Sequence, residues 1–154
     1  MMESKITLEK MTSAHIDDLV EIENSCFSRP WSRSGFEAEL DNDTAVFFAA
    51  VNNGKAVGYI GFHTVLDEGY IANIAVEPSL RQKGIGALLL STAVEYCKEN
   101  GIAFLSLEVR KSNSSAISLY QKFGFETVGE RKRFYSEPVE DADIMTLNFG
   151  GQSV

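Results

Sequence analysis

The residues best suited to chemistry fall in the second half of the chain. In the stretch 73–89, Asn-Ile-Ala-Val-Glu-Pro-Ser-Leu-Arg-Gln-Lys-Gly-Ile-Gly-Ala-Leu-Leu, a short apolar strand (Ile74, Ala75, Val76) is stopped by Pro78, and Gly84 and Gly86 open a helix beside Arg81 and Lys83. The first N–H groups of a helix lack intrahelical partners and share the positive end of its dipole, so an anion such as a pyrophosphate would meet backbone donors and two cations there. The plainer alternative is a turn with solvated cations. Two nucleotide-binding patterns are excluded by spacing: a dinucleotide fingerprint needs a third glycine where Leu89 stands, and a Walker loop needs Gly-Lys-Ser/Thr, which is absent.

Glu108 lies in Leu105-Ser106-Leu107-Glu108-Val109, an acid in the middle of an alternating strand. A charge there is costly unless it is paired or used. Either it forms a salt bridge, with Arg110 or a residue of a neighbouring strand, or partial burial raises its pKa and makes it a general base. Tyr120, in Ser118-Leu119-Tyr120-Gln121-Lys122-Phe123, is a core aromatic unless its hydroxyl reaches a polar pocket, where it would be a proton donor. Asn113 caps a helix or offers its amide to a ligand.

The elements that must position these groups follow from periodicity. Ile6 and Leu8 predict an edge strand over 5–9. Thr12 or Ser13 caps a helix carrying Ile16, Leu19, Val20, Glu23, Cys26 and Phe27, and Pro30 ends it. Ser32 caps a second short helix with Phe36 and Leu40 inward. The apolar run 45–51, the hairpin signal Asn52-Asn53-Gly54 and the run 56–66 predict a meander, extended after Asp67-Glu68-Gly69 by the strand 70–76. The helix behind the glycine loop has Ile85, Leu88, Leu89, Ala93, Tyr96 and Cys97 on one stripe and stops at Asn100-Gly101. A strand over 104–110, a helix from Ser112-Asn113 to Gly124, and strands over 125–135 and 143–149 complete the chain. This order predicts an α+β fold: a mixed, mostly antiparallel sheet of about seven strands with helices on both faces, in one domain over 1–149, with 150–154 a frayed tail.

With 154 residues, 44% hydrophobic and 23% charged, the composition is that of an ordinary globular protein. No apolar run reaches the ~20 residues of a membrane span, no signal sequence is evident, and a cytoplasmic location without membrane partners is expected. Cys26 and Cys97 fall on apolar helix faces and read as packing residues; His15 and His63 lack ligand spacing, so no metal is expected. The net charge of −8 is uneven: residues 1–80 hold five Lys or Arg against thirteen Asp or Glu, and residues 81–154 hold nine of each. An acidic first half suits a cationic partner or simply solubility, and disfavours direct nucleic-acid binding.

Arg81-x-x-Gly84-x-Gly86 after a strand resembles the acyl-coenzyme A pyrophosphate loop of the GCN5-related N-acetyltransferase (GNAT) superfamily. Leu107-Glu108-Val109-Arg110, Ser112-Asn113, Ala116-Ile117, Leu119-Tyr120, Gly124-Phe125, Pro30-Trp31-Ser32, Asn73-Ile74-Ala75-Val76 and Glu140-Asp141-Ala142 together are similar to its ribosomal-protein-alanine N-acetyltransferase branch. The resemblance implies an α+β acyl-CoA N-acyltransferase fold and acetyl-CoA as cosubstrate. Ile74, Ala75 and Val76 would offer backbone groups to the pantetheine arm, and Arg81, Gln82, Lys83, Gly84, Ile85, Gly86 and Ala87 would bind the pyrophosphate. Asn113 would be a further coenzyme contact, Glu108 the base and Tyr120 the acid, with Trp31 and Tyr135 on the acceptor side.

A base is needed because an α-amino group, with a pKa of about 7.7–8.0, is mostly charged at pH 7. The implied acceptor is the N-terminal amine of a basic ribosomal protein, with alanine first. The chain departs from the branch at Phe134-Tyr135, where paired tyrosines are common, which removes one acceptor-side hydroxyl. A lysine side chain, a polyamine or another small amine is the alternative acceptor within the fold. An acyl-CoA sensor or partner-binding module without turnover is the alternative of another class. Oligomeric state is not written in the sequence.

Overall fold

The computed structural model describes residues 5–149, so the expected tail at 150–154 lies outside the described residues. The element order is β1 (Ile6–Lys10), a 3-10 turn (Ser13–His15), α1 (Ile16–Cys26), α2 (Arg33–Leu40), β2 (Ala45–Asn52), β3 (Lys55–Val65) and β4 (Glu68–Val76). Then follow α3 (Ile85–Glu99), β5 (Phe104–Arg110), α4 (Ser114–Lys122), β6 (Glu126–Ser136) and β7 (Val139–Asn148). All seven strands form one sheet in the order β1-β2-β3-β4-β5-β7-β6, and only β4 and β5 run parallel.

Alternation along the strands divides the core between two faces. In β2, Val46 and Ala50 join the cluster under α3 and α4, while Phe47, Ala49 and Val51 join the cluster under α1 and α2. The two longer helices supply matching stripes, Ile85, Leu89, Leu90 and Ala93 from α3 and Ile16, Leu19 and Ile22 from α1, while α2 and α4 bury Phe36 and Tyr120. The helix starts follow their local chemistry. Thr12 accepts from Ala14 N–H and closes a capping box with His15, Ser32 accepts from Gly35 N–H, and Asn113 accepts from Ala116 N–H. Leu40 and Leu88, expected inward, are 39% and 43% exposed. Leu40 is the last residue of its helix, and the neighbouring Leu89 and Leu90 already fill the α3 core.

The feature that creates a site is the partial pairing of β4 with β5. Their register covers only Glu68↔Phe104, Gly69↔Leu105 and Tyr70↔Ser106. Directly afterwards β4 carries a bulge: Gly61 faces Asn73 while Phe62 faces Ile71, so Ala72 is an extra residue on β4. A bulge bends its strand and increases the local twist. Beyond it β4 stays on β3 while β5 continues on β7, through Leu107↔Met145 to Arg110↔Ala142. The facing backbone edges of β4 and β5 are therefore free of each other from Ile71 and Leu107 onward.

Candidate active site

The gap between the splayed strands opens into a cavity of about 730 Å³. Its walls come from Asn73 and Ile74 of β4, Glu108 and Arg110 of β5, Asn113 and Tyr120 of α4, the 26–31 segment after α1, and the β6–β7 turn at 134–138. Strand alternation puts Glu108 there: Leu105, Leu107 and Val109 point into the core, leaving Ser106, Glu108 and Arg110 on the opposite face. Glu108 keeps 30% of its side chain exposed, and its Oε2 accepts from Arg131 Nε of β6 at 3.0 Å. Glu108 thus lines the cavity while also forming a salt bridge, with Arg131 rather than Arg110 as the partner. Among the described residues, its Oε1 accepts no hydrogen bond from a protein donor.

Tyr120 is 5% exposed and packs against Phe125 at 5.6 Å between ring centroids. Its hydroxyl bonds to no described residue, yet it is not among the sealed, unpartnered polar atoms, so it opens on the cavity. Burial pushes its pKa well above that of an ordinary tyrosine, and the neighbouring Tyr135 adds to the shift. The phenol therefore holds its proton throughout the neutral range. Asn113 serves as the α4 cap through Oδ1, at 3.2 Å from Ala116 N–H, while also lining the cavity.

The glycine loop lies outside this cavity, at the open end of β4. Gly84, at φ +86°, adopts the left-handed conformation that other residues reach only with strain, and it caps α3. The first hydrogen bond into the helix runs from Leu88 N–H to Gly84 C=O, leaving the N–H groups of Ile85, Gly86 and Ala87 free for an anion. Arg81 is placed differently from a side chain reaching over an anion. It folds back to donate from Nε to Val76 C=O at 3.3 Å and from Nη2 to Cys26 Sγ at 3.0 Å. Gln82 and Lys83 remain exposed beside the loop.

Ile74, Glu108, Asn113, Tyr120, Trp31 and Tyr135 are therefore brought to one cavity. Ala75, Val76 and residues 81–87 lead on from it through the end of β4 and the loop to the α3 N-terminus, with the Val76 carbonyl already accepting from Arg81. The whole suits an extended thioester bearing a pyrophosphate.

Arg110, Glu137 and Phe27 also line the cavity, and sequence reasoning assigned none of them to a site. Arg110 sits 4.3 Å above the Tyr135 ring and donates to the carbonyls of Pro138 and Glu137 and to Glu140 Oε1. Glu140 Oε2 accepts from Ser112 N–H at 2.7 Å, tying the turn before α4 to β7. Ser28 Oγ donates to Glu137 C=O at 2.8 Å, and Arg29 pairs with Glu137 at 3.4 Å, so the segment after α1 touches the β6–β7 turn across the cavity. The contacts of Ser28 and Arg29 with Glu137 join residues over a hundred positions apart, and none of these contacts has a local sequence signal. Cys97 is buried, and burial pushes its thiol up to about 11, in keeping with a packing role. Cys26 is half-buried against Arg81.

Residues 16–125 match the model of the acetyltransferase (GNAT) family. Over 150 residues the chain is 41% identical to a Bacillus subtilis (strain 168) protein provisionally named [ribosomal protein bS18]-alanine N-acetyltransferase, covering 96% of this chain and 99% of that one. It is 34% identical over 143 residues to the Escherichia coli (strain K12) [ribosomal protein bS18]-alanine N-acetyltransferase, covering 92% and 96% respectively. Among solved structures, the ribosomal-protein-S18-alanine N-acetyltransferase from Escherichia coli superposes with a TM-score of 0.88 at 31% identity, covering 97% of this chain and 99% of that one.

Proposed function

The chain belongs to the acetyltransferase (GNAT) family, and from that premise we propose that it acetylates the N-terminal alanine of a ribosomal protein, bS18 by analogy with its relatives. The cosubstrate is acetyl-CoA. The observation that carries the reading is the meeting of a carboxylate and a protonated phenol, Glu108 and Tyr120, in the one cavity where the β4 backbone edge is free.

In this mechanism the acceptor ammonium enters from the side of Trp31 and Tyr135 and gives a proton to Glu108 through water. Its nitrogen then attacks the thioester carbonyl held along β4, a C–N bond forms, the nitrogen gives up its second proton to solvent, and the C–S bond breaks. Tyr120 gives its proton to the departing sulfur and is restored from solvent. No covalent enzyme intermediate is needed. Holding both reactants in one gap supplies much of the rate, since oriented reactants gain effective molarity. A backbone N–H of β4 stabilises the oxyanion. Arg131 keeps the Glu108 carboxylate aimed while leaving Oε1 for the proton.

The test is coenzyme A release with a peptide bearing a free N-terminal alanine, compared with the same peptide blocked at its N-terminus but carrying a free lysine. Turnover of the first alone supports the reading; turnover of the second alone overturns it.

A further inference from the structure

Glu23 is the one buried charged residue among those described, at 0% exposure in the middle of the α1 stripe between Leu19, Ile22 and Cys26. It is fully engaged. Oε1 accepts from Trp31 N–H at 2.8 Å, and Oε2 accepts from Asn73 Nδ2 at 2.9 Å and from the Tyr59 hydroxyl. Asn73 Nδ2 lies 3.0 Å from that hydroxyl, and its Oδ1 accepts from Ile74 N–H at 3.1 Å. Burial pushes the carboxyl pKa up, while the Trp31, Tyr59 and Asn73 donors pull it down.

A buried carboxylate is costly, and well-packed apolar residues often serve stability as well or better. Its neighbours on α1 are apolar, so packing alone gives no reason for a charge. Its partners do. Trp31, Asn73 and Ile74 all line the reaction cavity, whereas Glu23 stands behind the wall they form. The Trp31 ring is held by Phe36 and Phe47 at 5.4 and 5.9 Å, and its backbone is held by Glu23.

We infer that Glu23 is a positioning residue for acetyl transfer: it fixes the acceptor-side segment at Trp31 to the donor-side strand at Asn73 and Ile74, and so sets the width of the gap in which the amine meets the thioester. This rests on the cavity being the transfer site. Among the described residues no hydrogen bond joins residues 81–87 to this network, so the phosphate end of the coenzyme, and with it most of the binding, is held independently of it.

Glu23→Gln discriminates sharply because the side chains have nearly the same shape. If the new amide keeps its oxygen on Trp31 N–H, its NH₂ faces Asn73 Nδ2, donor against donor. Asn73 must then rotate, which withdraws Oδ1 from Ile74 N–H. If the amide turns the other way, Trp31 N–H loses its acceptor. Either end of the gap moves, and a misplacement of about 1 Å can lower a rate about 100-fold.

The experiment measures steady-state kinetics with whichever amine the wild type turns over, with circular dichroism to count folded protein. Glu23→Gln is expected to lower kcat/KM for the acceptor by about 10- to 100-fold, with the acetyl-CoA dissociation constant within about threefold of wild type. Asn73→Ala, which cuts the link to Ile74 while leaving Glu23 on Trp31, reproduces the split should the first variant fold poorly. Tyr59→Phe removes a donor and leaves both links, so its acceptor kinetics stay near wild type whatever its melting temperature. Wild-type acceptor kinetics in Glu23→Gln and Asn73→Ala overturn the inference. So does a loss of acceptor turnover and coenzyme binding together, in step with unfolding. Failure of the wild type on alanine peptides would count against the proposed acceptor and leave this inference standing.

Discussion

Removing the Tyr120 hydroxyl is the cleanest perturbation of the proposed chemistry. The ring is 5% exposed and packed on Phe125, and Tyr120→Phe keeps that packing. A typical intramolecular hydrogen bond contributes about 0.5–1.5 kcal/mol, but this hydroxyl bonds to no described residue, so none is lost. The melting temperature should therefore stay within a few degrees. Turnover should not. Proton transfer by a positioned side chain is worth about 10²–10⁴ in rate, or roughly 3–5 kcal/mol of barrier, and burial keeps this phenol protonated where the thiolate needs the proton.

The assay is thiol release with an alanine-terminated peptide, alongside calorimetric binding of acetyl-CoA. A fall in kcat of at least about 100-fold with coenzyme binding unchanged is expected. Wild-type turnover in this variant would refute the assignment of Tyr120 as the acid. A fall in kcat that merely tracked a lower melting temperature would refute the claim that its hydroxyl is free of the fold.

Glu108→Gln keeps the shape of the side chain and a hydrogen-bond acceptor for Arg131 but removes the base; kcat should fall about 10²–10³-fold with acetyl-CoA binding retained, read by the same two assays. Gly84→Ala places a Cβ at φ +86°, and it should destabilise the fold by about 1–2 kcal/mol and raise the KM for acetyl-CoA while sparing the acceptor KM. Denaturant melts and two-substrate kinetics check this. Glu140 has its pKa held below 4.5 by hydrogen bonding from Ser112, reinforced by Arg110. Between the folded and unfolded values the folded state binds fewer protons, so this stabilisation is present above the ordinary carboxyl pKa and is lost as pH falls through the lower folded value. The difference in melting temperature between wild type and Glu140→Gln should thus be full at pH 6 and shrink below pH 4.5; a constant difference would remove Glu140 from the acid response.

Much of the donor side was legible in the sequence because it depends on short-range signals. The strand Phe104–Arg110, the Asn113 cap and the glycine start of α3 all follow from alternation, capping chemistry and a left-handed turn within a few residues. The gap itself was not legible. It arises where one extra residue, Ala72, shifts the register of β4, and an unremarkable alanine carries no mark of a bulge. Arg131 as the partner of Glu108 was equally hidden, since a bond across 23 residues depends on β7 lying between β5 and β6. The contacts of Arg81 with Val76 and Cys26 were hidden too, since they depend on the loop after β4 lying against the end of α1. Glu23 did leave a trace: it is a charge on the inward stripe of α1. Only the structure shows which donors justify it.

The most direct measurement of the central claim is mass spectrometry of ribosomal proteins after incubation with the enzyme and acetyl-CoA. Acetylation at the N-terminal alanine of bS18, absent from a Glu108→Gln control, is the predicted result. Unmodified ribosomal N-termini, with acetyl instead on lysine side chains or a small amine, would contradict it.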